Sequence, residues 1–524
     1  MTMLLLGGRI HATGVPDATA MAVQDGTVVW VGQDGPAKAL YPDAEVVRLD
    51  GAFVAPAFVD PHVHATAAGL LLTGLDLTGC TSSADLLDAL RTAEGDTVWG
   101  HGWDETAWPE GRPPTRAEID AAAGGRLVYL SRIDVHSALV SSAAVGHAPD
   151  VAGAQGWDPV GPLSRDAHHR VRRVALRALS DQQRHAATRA FLRHAAARGV
   201  ASVHECAGPE ISGEQDLADV LAMGRADDMP DVVGYWGEIG AFGLARELGL
   251  RGLAGDLFVD GAIGSRTAAL HEPYADAATT GHRYLDAGDI AEHLVECTIA
   301  EVQAGFHVIG DAAVSAVTDG FAKAAQTVGR DALAAARHRL EHVEMVTAEQ
   351  AERLASWGVI ASMQPMFDAA WGGQDGMYVR RLGERGTSLN PFSMLARSGV
   401  VLAFGSDAPV TPVDPWRSVQ AAVHHKTPGS GVSARAAFTA HTRGGWRAAG
   451  VDDGVTGMLV PGAPATYAVW ETGDLVVAGS DSRVKRWSTD PRSGVPGLPA
   501  LDPGVELPTC VRTVLRGNTI FEKR

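Results

Sequence analysis

Apolar and polar positions along this chain fall into two textures. The first ~50 residues alternate over short runs, Met3–Gly7, Ala20–Val23, Thr27–Val31 and Glu45–Leu49, broken by turn residues. Gln24-Asp25-Gly26 between two such runs predicts a hairpin. The tail repeats the texture over Ala465–Glu471, Asp474–Val477 and Cys510–Arg516. Together the ends predict one small β-sandwich built from residues 1–55 and 455–524. The middle, residues 56–454, alternates strand-like apolar runs with helical patterns. Strands are predicted at Val54–Val59, Leu127–Ile133, Val200–His204, Asp256–Asp260, Phe306–Ile309, Arg339–Val343, Val359–Met363 and Val401–Gly405. Ala-rich helices are predicted at Asp181–Arg198, Asp289–Ala304, Ala312–Val328 and Thr347–Trp357. Eight short strands with intervening helices fit an α/β fold of the (β/α)8 TIM-barrel type. A doubly wound sheet is the alternative, but no Gly-rich fingerprint follows any strand. The stretch between the first two predicted strands is too long for one helical crossover. It predicts an inserted segment near 75–125, which carries Trp99, Trp103 and Trp108.

The ends of the predicted strands carry the candidate chemistry. The run Ala52–Val59 leads into Asp60-Pro61-His62-Val63-His64. Side chains alternate along a strand, so His62 and His64 share a face and can bind one metal ion from one side. Alone the pair reads equally well as two satisfied polar residues at a strand mouth. Later strand ends add His307, His342 and Asp407. Histidines with a carboxylate make a site for zinc or a similar divalent ion, one or two in number. Such an ion lowers the pKa of a bound water. Asp407 beside that water can take its proton and pass it to a leaving nitrogen. A further histidine can polarise the substrate carbonyl. Asp407 and His342 are therefore the candidate catalytic residues, and hydrolysis of an amide-like bond is the implied reaction.

Composition narrows the setting. The 524 residues exceed a single core, with 46% hydrophobic and 20% charged positions. A net charge of −18 argues against nucleic-acid or anionic-membrane partners, which demand clustered Lys and Arg. Cys80, Cys206, Cys297 and Cys510 lie far apart without CxxC pairing, which suits a reducing cytoplasm. No signal peptide or membrane span is read from the sequence, so a cytoplasmic enzyme acting on a small molecule is expected.

The motifs resemble the amidohydrolase superfamily, in a branch that includes N-substituted formamide deformylases. They are Pro61-His62-Val63-His64, Gly102-Trp103-Asp104, Asp134-Val135-His136-Ser137, Asp260-Gly261-Ala262-Ile263-Gly264-Ser265-Arg266-Thr267, His307-Val308-Ile309-Gly310-Asp311, Arg339-Leu340-Glu341-His342, Ser362-Met363-Gln364-Pro365 and Gly405-Ser406-Asp407-Ala408-Pro409. The resemblance implies that His62, His64 and Asp407 hold the more buried metal and His307 and His342 the second. It also implies a homodimer. One departure stands out. Many members bridge two metals with a carboxylated lysine on the fourth strand, and Asp256 occupies that position here. Lys38, Lys323, Lys426, Lys485 and Lys523 are the only lysines, and none falls where it can substitute. A mononuclear or asymmetric site is the favoured expectation, with bridging by Asp256 or an approach by Glu205 as alternatives. The plain readings are a backbone-bonded carboxylate for Asp256 and a partner orienting a histidine for Glu205.

His136, Arg266 and Trp103 are candidate substrate-binding residues, each with an equally good structural reading. Trp108, Trp371 and Trp416 are weaker candidates for an apolar pocket. His101, His168-His169 and His424-His425 read as solvated or loop residues. Deamination and ester or carbamate hydrolysis remain rivals on the same scaffold. A non-catalytic binding or scaffold protein is the rival from another class.

Overall fold

A computed structural model describes residues 2–477 and 495–523. Its centre is one sheet of eight parallel strands. In chain order they are β1 (Phe58–Val63), β2 (Val200–Ala207), β3 (Asp231–Trp236), β4 (Gly252–Leu253), β5 (Gln303–Val308), β6 (Arg339–His342), β7 (Ile360–Met363) and β8 (Val401–Phe404). The sheet closes between its first and last members. Val63 bridges Ala408, and His64 N donates to Ala408 O at 2.8 Å. Every residue of β1, β2 and β5 is buried, as expected of parallel strands covered by helices. The fold is the expected TIM barrel. The helices lie near their predicted places, at Asp181–Ala197, Ala287–Ile299, Asp311–Val328 and Ala348–Ser356. Side-chain oxygens of Ser180, Asp286 and Thr347 cap three of them.

One strand belongs elsewhere. Leu127–Arg132 is extended, but it pairs with Thr97–Trp103 and Ser137–Val140 in a separate five-stranded sheet inserted between β1 and β2. The barrel position goes to Asp231–Trp236, which sequence reading missed. Its charged Asp231 and its Gly234 make it a weaker apolar run than 127–133. The inserted sheet has its own core of Leu77, Leu86, Trp103, Ile119 and Val128. His101 is buried, its Nε2 2.9 Å from Pro409 O. His168 is buried in a second core of the insert, with Trp99, Tyr129 and Val171, its Nε2 meeting the Tyr129 hydroxyl at 2.7 Å. Neither is the solvated residue expected. The side chain of His425 is buried as well, against Asn390 O at 2.9 Å, while His424 is exposed.

The chain ends form two sheets facing each other, one from residues 2–48 and one joining Phe53–Pro56 to Tyr467–Glu471, Thr509–Leu515 and Asn518–Glu522. Leu5, Met21, Val54, Tyr467 and Val514 fill the space between them. No helix among the described residues is long and apolar enough to cross a membrane.

Candidate metal centre

The C-terminal ends of β1, β5, β6 and β8 converge, as the barrel geometry requires. Buried His62 and His64 leave β1 on one face. His62 Nε2 stands 3.5 Å from both Asp256 Oδ1 and Asp407 Oδ1. His64 Nε2 is 3.2 Å from Asp256 Oδ2 and 3.3 Å from Asp407 Oδ1. His307 Nδ1 lies 3.4 Å from Asp256 Oδ1, and the His307 and His342 rings are 4.5 Å apart between centroids. His342 and Asp407 carry positive φ angles of 71° and 55°, strained settings that aim both side chains inward. Asp256 is delivered by a break in the fourth strand. Gly255, at φ 75°, turns the chain after β4, and a Cβ there would meet Cys206. The segment then rejoins β5, with Val259 N donating to His307 O at 3.0 Å.

These atoms fit a divalent ion. Among the described residues His62 Nε2, His307 Nδ1, Asp256 Oδ1 and Asp407 Oδ1 are buried without hydrogen-bond partners, which is costly unless a further group satisfies them. Ligands ~2.1 Å from a tetrahedral ion lie ~3.4 Å from one another. The separations of 3.2 to 3.5 Å match that edge. Two sets of donors, His62–His64–Asp407 and His62–Asp256–His342, each lie close enough to share one ion.

Charge in the cluster is mutually maintained. Burial opposes a proton on His62, yet Cys206, Asp407 and Asp256 lift its pKa well above the usual value. Burial likewise opposes one on His64, but the carboxylates of Asp256 and Asp407 facing its Nε2 raise it to about 9. Asp256 and Asp407, which burial alone would push up, are held below the ordinary carboxylate range by these histidines. His342 is driven down to about 3 by burial and by His307.

A supporting layer surrounds the ligands. His62 Nδ1 meets Glu341 Oε2 at 2.8 Å, and Arg339 clamps that carboxylate at 2.6 and 2.8 Å. His342 Nδ1 meets Gln364 Oε1 at 2.8 Å. Asp60 accepts Ser406 N, and Asp260 accepts the amides of Ala269, Ile309 and Gly310. Sequence reading did not single these out. Arg339 and Glu341, two apart on a buried strand, were the available signal.

The remaining candidates separate. His136, half-buried, has its ring 5.1 Å from that of His307. Burial and His307 lower its pKa to about 4, so it is neutral. Glu205 accepts Ala65 N at 2.7 Å, and burial raises it to about 7; it lies outside both donor sets. Arg266 is not brought to the histidines, being held by Asp276 at 3.0 and 2.8 Å. Trp103 sits in the insert core and donates Nε1–H to Leu130 O at 2.8 Å. Trp371 lines a cavity against the ligands, whereas Trp108 and Trp416 are core residues. That cavity is narrow, about 30 Å³, between His136, His307, His342, Asp407 and apolar walls. Larger clefts lie remote from the ligands, beside Arg225–Asp231 and beside Arg48–Ala52.

Known proteins share this architecture. A model of the amidohydrolase family matches residues 45–521. The chain is 28% identical over 471 residues to the putative amidohydrolase YtcJ of Bacillus subtilis, covering 81% of this chain and 82% of that one. It is 24% identical to the N-substituted formamide deformylase of Arthrobacter pascens, covering 78% and 81%. A crystal structure of an uncharacterized metal-dependent hydrolase from Pyrococcus furiosus superposes with a TM-score of 0.70 at 27% identity, covering 90% of this chain and 98% of that one. The chain is a hydrolase that belongs to the amidohydrolase family.

Proposed function

We propose that this hydrolase cleaves a non-peptide carbon–nitrogen bond, of the formamide or small-amide kind, in a substrate with an apolar substituent. One observation carries the reading: buried, unpartnered nitrogen and carboxylate atoms of His62, His307, Asp256 and Asp407 converge beside an apolar cavity. The family and its metal-dependent neighbours support it, and the formamide deformylase supports the bond type. His62, His64, His307, His342 and Asp407, with Asp256 in place of a lysine, would hold the ion; imidazole and carboxylate donors suit zinc. An ion held there would supply Lewis acidity to water and to the scissile carbonyl.

The rest falls to the protein. Asp407 takes the proton of the attacking water on its carboxylate and returns it to the leaving nitrogen. Neutral His136 offers a ring N–H to the substrate carbonyl at the cavity wall. Trp371 and Phe367 take the apolar substituent and exclude water.

The test combines elemental analysis with a screen of formamides, N-acyl amines, carbamates and lactams against wild type and Asp407→Asn. Bound divalent metal, turnover of a formamide or amide, and a loss of about 10³-fold or more in the variant are expected. Full activity in Asp407→Asn refutes its role. Turnover of carbamates alone refutes the bond assignment, and chelator-insensitive activity refutes the metal.

A further inference from the structure

Besides the metal donors, the cavity wall presents four polar side chains: Asp134, His136, Glu344 and Tyr378. Asp134 is fully engaged, by Arg132 Nη1 at 2.8 Å, Ser265 Oγ at 2.7 Å and His136 N at 3.2 Å. Glu344 is not. It is 3% exposed, Tyr378 and Asn390 hydrogen-bond to its carboxyl, and its Oε2 has no partner among the described residues. Its backbone is pinned, since Glu344 O accepts Asn390 N at 3.0 Å and Met345 N donates to Ile309 O at 3.1 Å. A buried carboxylate oxygen left unpaired is expensive, so a rigid one facing a binding cavity is built for a donor that arrives with the ligand. Among the described residues no Lys or Arg lines this cavity. The guanidinium groups behind the wall, Arg132 and Arg381, are committed to Asp104, Glu105, Asp134 and Asp276.

We infer that Glu344 is the specificity-determining residue of the cavity. Its free oxygen selects substrates whose apolar substituent carries an amine or another hydrogen-bond donor, and the cavity rejects substrates that carry a carboxylate. The inference deepens the hydrolytic reading above and rests on it. Elsewhere the same cavity is walled by apolar Ile263, Phe367, Trp371, Met377 and Val410. A cationic or N–H-bearing tip is stabilised by one carboxylate in such a cavity. A carboxylate tip meets repulsion with no compensating cation.

The test uses the metal-loaded enzyme and three N-benzylformamides bearing a para aminomethyl group, no substituent or a para carboxylate, at about pH 8. Wild type is expected to prefer the aminomethyl over the carboxylate compound by about 100-fold in kcat/KM. Glu344→Gln, which keeps the shape, is expected to cut that ratio at least about tenfold, chiefly through KM. An unchanged ratio in a folded variant with normal metal content overturns the inference. Should Glu344→Gln fail to fold, Glu344→Met, which also removes the charge, serves in its place with the same two outcomes. If wild type cleaves none of the three, the hydrolytic reading is what fails. Calorimetric binding of the free amines 1,4-bis(aminomethyl)benzene and 4-(aminomethyl)benzoate then decides separately. Tighter binding of the diamine that is lost in the variant supports the role of Glu344, and equal affinities overturn it.

Discussion

Arg339, Glu341 and His62 form a chain in which each group fixes the next. The guanidinium holds the carboxylate, the carboxylate holds Nδ1, and Nε2 is left pointing at Asp256 and Asp407. Burial alone would raise Glu341, but Arg339 keeps it ionised. Glu341→Gln should therefore weaken divalent binding by about 10 to 100-fold, read by chelator competition. Glu341→Leu should cost more, about 3–5 kcal/mol of folding stability in thermal melts, because buried Arg339 loses its counter-charge. Unaltered metal affinity in Glu341→Gln would remove the chain from the account. At this scale the sequence was partly legible. His62 and His64 can be read off a period of two, and His307, His342 and Asp407 off the ends of apolar runs. Asp256 is central to the cluster, yet nothing in its neighbours distinguishes it from a backbone-bonded carboxylate. Glu344 looks like any acid after a strand until its pocket is seen.

Sequence periodicity reports that a strand exists and not which sheet takes it. Leu127–Arg132 has the better apolar pattern, but its neighbours Thr97–Trp103 and Ser137–Val140 capture it. Asp231–Trp236 wins the barrel place because it can pair with β2 at one edge and reach β4 at the other. The helix Met377–Leu382 shows how the insert and the barrel are tied. Its Arg381 donates to Gly264 O at 3.0 Å, to Asp276 at 2.7 Å and to Glu105 of the insert at 3.3 Å. The same helix presents Met377 and Tyr378 to the cavity. Arg381→Met leaves Glu105 with Arg132 and Asp276 with Arg266, so the fold should lose only about 1–2 kcal/mol. The cavity wall should suffer more, with KM rising about tenfold and kcat changing less. Equal falls in kcat and kcat/KM at unchanged KM would show that the helix does not seat substrate.

For the molecule as a whole, the ligands join opposite ends of a long chain. His62 stands at the end of β1 and Asp407 just past β8, so a bound ion spans the seam where the barrel closes. At a ligand concentration ~1,000 times Kd such an ion adds ~4 kcal/mol to folding. Protons compete for the same atoms. Burial disfavours charge on His64, but Asp256 and Asp407 raise its pKa from 6.5 to about 9 in the metal-free fold. A raised folded-state value means that proton binding stabilises the fold. In the metal-free protein this contribution, roughly 3 kcal/mol, is fully present below about pH 6.5 and is lost as pH climbs through about 9. Coordination needs the neutral imidazole, so metal binding expels the proton and tightens over the same interval. The two effects add: the metal-free protein weakens with rising pH while the loaded protein gains affinity. Melting temperatures of chelated and metal-loaded protein, compared between about pH 6 and 9, should diverge steadily. Calorimetry in buffers of different ionisation heat should report about two protons released per ion at the lower pH, from His62 and His64, and fewer near the upper limit. A constant gap between the two melting curves would mean that His64 does not carry the proton the ion displaces.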